Sequence, residues 1–433
     1  MKSKPTHKYH AEPLRRALLA AALVALAGLA AAPPARADDT LRLHRIDLGP
    51  DYDTGWGTST QGINDLGQIT LAASLKNEED YTKRDRLILW SEDSGAVDLA
   101  ASGNSAYVKS INNSGQIAYS TPSTSPYSTW LWTPDTPNGT TGTTRMITSE
   151  SGSTSGPGSN ILNNSGQVVA YSPTNPGTGE SASILWTPGG PDGAGTTRYL
   201  DGFADAKALN DSGMVVGSDN GNRAAVWTEA GGVTIIPGLD AYQYSNATAV
   251  NNNGQVIGYH HDESYNTGAF VWTAEGGLVD LGNLGGVDPW NGTGIWAWVN
   301  DINDSGQIVG TSYGAAYTLF DDYSESGVRE AAERAFIWTA EGGMVDLNTL
   351  FADQLNLLAL EELVEGTSGW YMLREATGIN AHGEIVGNGY YWDGTALQYQ
   401  AFAFLTATAV PEPAAYAALA GLAILAWAAL RRR

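Results

Sequence analysis

One short motif occurs seven times along this chain of 433 residues, and it constrains the fold more than any other feature. Its core is Ile-Asn-x-x-Gly-Gln-Ile/Val, with copies beginning at Ile63, Ile111, Leu162, Leu209, Val250, Ile302 and Ile379. Every copy has the Asn (Asn64, Asn112, Asn163, Asn210, Asn251, Asn303 and Asn380) and the Gly (Gly67, Gly115, Gly166, Gly213, Gly254, Gly306 and Gly383). Asn-x-x-Gly between apolar stretches is a tight hairpin turn. Asn caps the turn, and Gly takes the positive φ that other residues resist. An apolar triplet ending in an aromatic follows each copy, at Trp90, Trp132, Trp186, Trp227, Trp272, Trp338 and, in the seventh, Phe404. A Gly-Gly turn leads into Leu-Val-Asp-Leu-Gly at 275–282 and into Met-Val-Asp-Leu at 341–347.

Ile- and Val-rich runs on both sides of these turns fit strands. Each unit therefore reads as four short strands. Four strands in roughly 40–50 residues is the size of one β-propeller blade. The repeat glycines are 48, 51, 47, 41, 52 and 77 residues apart, far more than one rung of a parallel β-helix. A seven-hairpin sandwich is the alternative, but the regularity favours radial repetition. The seventh copy has Phe402-Ala403-Phe404 but no fourth-strand motif after it. Arg45-Ile46-Asp47-Leu48-Gly49, ahead of the first copy, resembles the missing piece. The expected fold is thus an all-β, seven-bladed propeller of four-stranded blades over 38–409, with an N-terminal strand closing the last blade. Closure removes the open edges that a linear stack would expose.

The two ends read as addresses. Lys2, Lys4, Lys8, Arg15 and Arg16 precede an apolar run from Ala17 to Ala32, and Ala35-Arg36-Ala37 is a small-x-small cleavage site. Residues 1–37 are therefore expected to be a signal peptide, read by the secretory translocon and signal peptidase. At 410–433, Pro411-Glu412-Pro413 is followed by an uncharged run, Ala414 to Leu430, and then by Arg431-Arg432-Arg433. That run is near the lower length for a transmembrane helix, and the Arg cluster would stay cytoplasmic.

Composition limits the function. The chain has 23 Lys+Arg against 46 Asp+Glu, a formal charge of -23. Without the two address segments the body would stand at -30. Such acidity argues against a nucleic-acid partner, because phosphate contacts need Lys and Arg. No Cys is present, which excludes disulfides, thiolate metal sites and cysteine nucleophiles. No phosphate loop or His-Glu-x-x-His occurs.

Two family resemblances follow from these motifs. The repeat, with Ala269-Phe270-Val271-Trp272 and Ala335-Phe336-Ile337-Trp338, resembles the HAF extracellular repeat over about residues 43–408. Copies one to four depart from it in the Phe slot, at Ile88, Trp130, Ile184 and Ala225, which leaves local register open there. The C-terminal order of Pro-Glu-Pro, apolar span and Arg cluster resembles the PEP-CTERM sorting signal of Gram-negative bacteria. That resemblance implies processing by an exosortase. The protein would be anchored transiently in the inner membrane and then displayed on, or released from, the cell surface. Neither resemblance supplies an activity or catalytic residues.

Loop lengths point to where a ligand would bind. From repeat Gly to repeat aromatic the gaps are 23, 17, 20, 14, 18, 32 and 21 residues. In an up-and-down blade this connection and the blade-to-blade connection emerge on one face, so the length variation gathers there. Variable loops on a rigid scaffold are where binding usually sits. The candidates on that face are Trp290, Trp296, Trp298, Tyr259, Asp262, Tyr313, Asp321 and Tyr323. Tyr127, Trp130, Tyr265, Tyr317, Phe320 and Asp322 accompany them. Aromatic faces beside carboxylates and amides suit carbohydrate, although packing of the loops on themselves would use the same residues. His260-His261 is a poor metal pair, since adjacent strand residues point to opposite faces. Asp51-x-Asp53-x-Gly55 resembles the start of a calcium loop without its later ligands. Calcium is thus the one cofactor with any support, and no catalytic or metal residue is assigned. The leading expectation is a non-enzymatic, surface-sorted propeller that binds extracellular polysaccharide or envelope matrix. The alternatives are a glycan hydrolase or lyase using Asp262, Glu263, Asp321 or Asp322, and an adhesion protein without a small ligand.

Overall fold

The computed structural model describes residues 41–406, apart from internal stretches of which 315–332, 152–160, 287–295 and 77–84 are the longest. The expected signal segment, with Ala35 and Ala37, lies outside the described residues, as does the expected sorting segment with Pro411, Glu412, Pro413, Arg431, Arg432 and Arg433. Among the described residues no helix is long and apolar enough to cross a membrane. Residues 42–405 form one compact unit.

That unit is a seven-bladed all-β propeller. Blades 1 to 7 occupy residues 58–98, 107–151, 162–200, 203–235, 244–280, 297–346 and 369–406. Within each blade neighbouring strands pair antiparallel in chain order from the inner strand outward. Blade 3 has three full strands, and its innermost position is held by a single bridge, Leu162 to Val168. In blade 7 the outermost place in the sheet, beside Leu397–Thr406, is taken by the strand Leu41–Ile46.

The core lies between blades. Val216 and Val226 of blade 4, with Ile236 directly after it, pack with Ala247, Val250 and Phe270 of blade 5. Val386, Ala401 and Ala403 of blade 7 pack with Ile63, Ile69 and Leu71 of blade 1. Of the repeated aromatics, Trp132, Trp186, Trp227 and Phe404 are buried, and Trp90, Trp272 and Trp338 partly so. The departures in the Phe slot do not disturb register. In blades 5, 6 and 7, Gly258, Gly310 and Gly387 pair with Phe270, Phe336 and Phe402. In blades 1 to 3 the same position pairs Leu71 with Ile88, Tyr119 with Trp130 and Ala170 with Ile184. Blade 4 pairs Gly217 with Ala225. A Cβ at Gly258 would collide with the Asn246 carbonyl oxygen and the Phe270 ring. In all four glycine positions the nearest obstacle is a carbonyl of the inner strand, that of Asn246, Trp298, Glu375 or, in blade 4 where only Ala225 stands opposite, Asp205.

The repeat Asn explains itself in three contacts. In blade 5, Asn251 Oδ1 accepts from the backbone N–H of Asn253 at 3.1 Å and of Gln255 at 2.9 Å. Gly254 closes the turn at φ 75°. Asn251 Nδ2 then donates across the blade boundary to the carbonyl of Asn303 at 2.9 Å. The same donation runs from Asn64 to Asn112, Asn112 to Asn163, Asn163 to Asn210, Asn210 to Asn251, Asn303 to Asn380 and Asn380 to Asn64, all within 3.0–3.2 Å. Seven buried amides therefore form a closed circuit on the short-turn side of the ring. The next residue adds a second, incomplete circuit. The backbone N–H groups of Asp65, Asn113, Asn164, Asp211, Asn252 and Ala381 donate to side-chain oxygens of the following blade at 2.8–3.0 Å. Ala381 has no side-chain oxygen to offer, so this second circuit is open at the junction of blades 6 and 7.

Candidate functional site

In six of the seven blades the inner strand carries one extra residue two positions before the repeat's first apolar residue. The register shifts leave Gln61, Lys109, Lys207, Thr248, Asn300 and Thr377 unpaired in blades 1, 2, 4, 5, 6 and 7. Such bulges re-aim side chains beside functional sites. All six are polar. Thr248 Oγ1 donates to the carbonyl of Val299 at 3.1 Å, and Asn300 Nδ2 to that of Ala376 at 2.8 Å. Thr377 Oγ1 lies 2.6 Å from Thr60 Oγ1. These bonds tie blades 5, 6, 7 and 1 around the axis.

A cavity of about 400 Å³ opens at this collar, lined by Thr60, Lys207, Thr248, Asn300 and Thr377. That volume is within the range of small-molecule sites. One wall is aromatic. Trp298, in the inner strand Ala297–Ile302, stacks on Tyr259 with ring centres 3.9 Å apart. Trp296 stacks on Tyr313 at 5.0 Å and lies 6.5 Å from Trp298. The Trp296 carbonyl accepts from Tyr313 N at 3.2 Å and Ser312 Oγ at 3.0 Å, which anchors the approach to blade 6. Burial, reinforced by the Tyr244 hydroxyl, pushes the Tyr259 phenol well above its ordinary pKa, so it stays neutral.

A second group of lining residues is charged. Glu333 pairs with Arg374 at 2.5 Å. Arg374 is itself a bulge residue of the strand Gly369–Ile379. Arg374 Nη1 also donates to the Tyr399 hydroxyl at 3.2 Å, and that hydroxyl donates to Glu375. Asn388 Nδ2 donates to Glu375 at 3.0 Å, while Asn388 Oδ1 accepts from Thr60 N at 3.2 Å. Burial works against the Arg374 cation, yet Glu333, Tyr399 and Glu375 hold its pKa above the ordinary guanidinium value. Burial and then the Glu375 carboxylate raise the Tyr399 phenol. Lys207 pairs with Asp205 at 2.8 Å. The arrangement offers stacking faces, fixed hydroxyls and amides, and two carboxylates that are already engaged.

Among the sequence-predicted residues, the fold brings Tyr259, Trp296, Trp298 and Tyr313 together. Tyr259, Trp298 and Tyr313 are strand residues, not loop residues as expected, because the aromatic stretches continue the strands past the apolar repeat. Asp262 is a correction. Its carboxylate accepts from Ser264 N at 2.7 Å, Asn266 N at 2.9 Å and Asn266 Nδ2 at 2.7 Å, so it caps a hairpin turn and does not line the cavity. Those hydrogen bonds hold its carboxyl below the usual range. Asp219 makes the same turn in blade 4, and Asp393 caps a turn one residue shorter in blade 7, accepting from the N–H groups of Thr395 and Ala396. Trp130 belongs to the third strand of blade 2 and donates to Thr121 Oγ1 at 3.2 Å. Trp290, Asp321 and Tyr323 lie outside the described residues, as do Tyr265, Tyr317, Phe320, Asp322, Asp53 and Gly55. His260 and His261 end a strand. His260 is buried against Tyr242 at 3.6 Å, and His261 Nδ1 lies 2.9 Å from Thr267 Oγ1. Among the described residues no three His, Asp or Glu side chains gather as a metal site would require. Sequence reasoning missed Lys207, Thr248, Glu333, Arg374, Glu375 and the collar itself.

A family described as "Protein of unknown function (DUF3466)" matches residues 191–398. That stretch contains every cavity-lining residue except Thr60. No curated protein matches the chain. Solved structures with some likeness include TolB from Acinetobacter baumannii, at 13% identity over 65% of this chain and 63% of that one, with a TM-score of 0.39. The chain thus spans less than two thirds of that TolB. Another is the β-propeller domain of the Trilobed protease from Pyrococcus furiosus, described as having an open velcro topology. It is 10% identical over 68% of this chain and 82% of that one, with a TM-score of 0.36.

Proposed function

We propose that this protein is an exported glycan-binding propeller whose site is the cavity at the inner-strand collar. The observation that carries this reading is the Trp298–Tyr259 stack beside Thr248, Asn300 and the Glu333–Arg374–Tyr399–Glu375 network. Aromatic rings stack on the apolar C–H face of a sugar, and rigid polar groups fix its hydroxyls. The basic and apolar N-terminal segment with Ala35 and Ala37 supports export, and the Pro411-Glu412-Pro413, apolar and Arg431–Arg433 order supports exosortase processing and surface display. HAF-like repeats fit that extracellular destination. The strand Leu41–Ile46 would then serve as the closing strand of the ring.

The test is binding of the purified protein to a panel of polysaccharides and oligosaccharides, beside the Trp298→Ala variant. Saturable binding that the variant loses is expected. No binding to any glycan, with or without calcium, would sink the reading. A hydrolase or lyase would have to draw on Glu333 and Glu375, the carboxylates that line the cavity. Both already hold structural partners, which favours binding over turnover. Release of new reducing ends from a bound polysaccharide would reverse that preference.

A further inference from the structure

The charge arrangement within the cavity narrows the ligand further. Besides the neutral Tyr259 phenol, four ionisable side chains line it: Lys207, Glu333, Arg374 and Glu375. Lys207 is held by Asp205 at 2.8 Å, so its charge is already met. One guanidinium serves two carboxylates. Arg374 pairs directly with Glu333 at 2.5 Å and reaches Glu375 through the Tyr399 hydroxyl. Counted with Asp205, the lining therefore carries one more negative than positive charge, and each cation has a carboxylate partner in place. An incoming carboxylate or sulfate would have to displace one of these partners or enter beside Glu375 uncompensated. Like charges brought together in a partly desolvated site oppose binding strongly. The expected mature body, at a formal -30, adds long-range repulsion that salt screens.

We propose that the cavity admits uncharged or amino sugars and excludes uronic and sulfated ones. This rests on the glycan-binding reading above and specifies the substrate class for the same site.

The experiment compares oligosaccharides of equal length: neutral hexaoses of glucose, mannose and N-acetylglucosamine, the glucosamine hexamer, and hexamers of galacturonate and mannuronate. Binding is measured at 20 mM and 200 mM salt, with Trp298→Ala as the control for site occupancy. Trp298-dependent binding at least about 10-fold tighter for a neutral or amino probe than for either uronate is expected. The amino probe should weaken with added salt, and any residual uronate binding should strengthen. Trp298-dependent binding of a uronate as tight as any neutral or amino probe would overturn the charge selection and leave the glycan reading standing. No Trp298-dependent binding of any probe would overturn both. Glu375→Gln removes the excess charge and Asp205→Asn unmasks Lys207, so each should narrow the discrimination against uronates. Unchanged discrimination in whichever of these variants keeps the wild-type melting profile would overturn the proposal.

Discussion

Two levels of the propeller join blade to blade around the axis, by different chemistry. On the short-turn side, seven equivalent Asn side chains hand one hydrogen bond each to the next blade, with nothing to distinguish one blade from another. At the collar, Thr248, Asn300 and Thr377 also bridge blades, but with different groups and on one side of the ring. Around them stand two tryptophans, two tyrosines and a charged network that, among the described residues, no other sector of the ring repeats. Identical copies are what a scaffold needs. Divergence confined to one set of positions is what a site needs. The two can coexist because the turn circuit holds the blades whatever the collar presents.

That contrast can be broken from either side. The largest effect is expected for Asn251→Ala. The substitution removes two acceptor bonds within the turn and the bond to Asn303, and leaves buried backbone groups without partners. It should lower folding stability by about 3 kcal/mol in denaturant titrations, while ligand affinity at the collar stays within about twofold. A loss of affinity as large as the loss of stability would show that the two levels are not independent. Trp298→Ala should do the reverse. Binding should weaken roughly 10- to 100-fold by calorimetry, with a smaller stability change because Trp298 is only partly buried.

A smaller change sharpens the scaffold. Ala381→Asn would supply the side-chain oxygen missing from the second circuit and accept from the backbone N–H of Asp304. A gain of about 0.5–1 kcal/mol is expected, seen as a higher midpoint of unfolding. The smallest effect is a pH dependence. Burial holds the His260 and His261 rings below the ordinary imidazole pKa. Their native environment therefore favours the neutral form. Between the folded and unfolded pKa values the unfolded chain binds more protons. Stability from these groups is thus present above about pH 6.5 and lost as the pH falls below it. Asp393, held at about 2 by the Thr395 and Ala396 backbone N–H groups, contributes above the ordinary carboxylate range and loses that contribution as the pH drops toward 2. Denaturant midpoints at pH 7.5 and 5.0 should fall on acidification, and less so in His260→Gln if that variant remains folded.

Much of the scaffold was legible because one position imposes one geometry. Asn64-x-x-Gly67 can be little other than a capped turn, and seven such turns with following aromatics set the blade count. The site was less legible. Lys207, Thr248, Asn300 and Thr377 become a collar only through a bulge that side-chain alternation does not reveal, although the position two before each repeat is polar in all seven copies. Glu333, Arg374 and Glu375 meet only because blades 6 and 7 pack side by side. Asp262 misled for the opposite reason. Its spacing to Ser264 and Asn266 repeats the turn geometry of Asn64 with Leu66 and Gln68, and that pattern outweighs an acidic residue's appeal as a ligand.

The amide circuit has a sense of rotation. Each Asn gives to the blade after it and takes from the blade before it, so the rule is written once per repeat and names no particular repeat. A duplicated or deleted unit would carry its own giving half and its own receiving half. The number of blades can therefore change only in whole steps, and an insertion inside a loop leaves the circuit's arithmetic untouched. Such a wheel can lengthen its loops at one rim through many generations without renegotiating the hub.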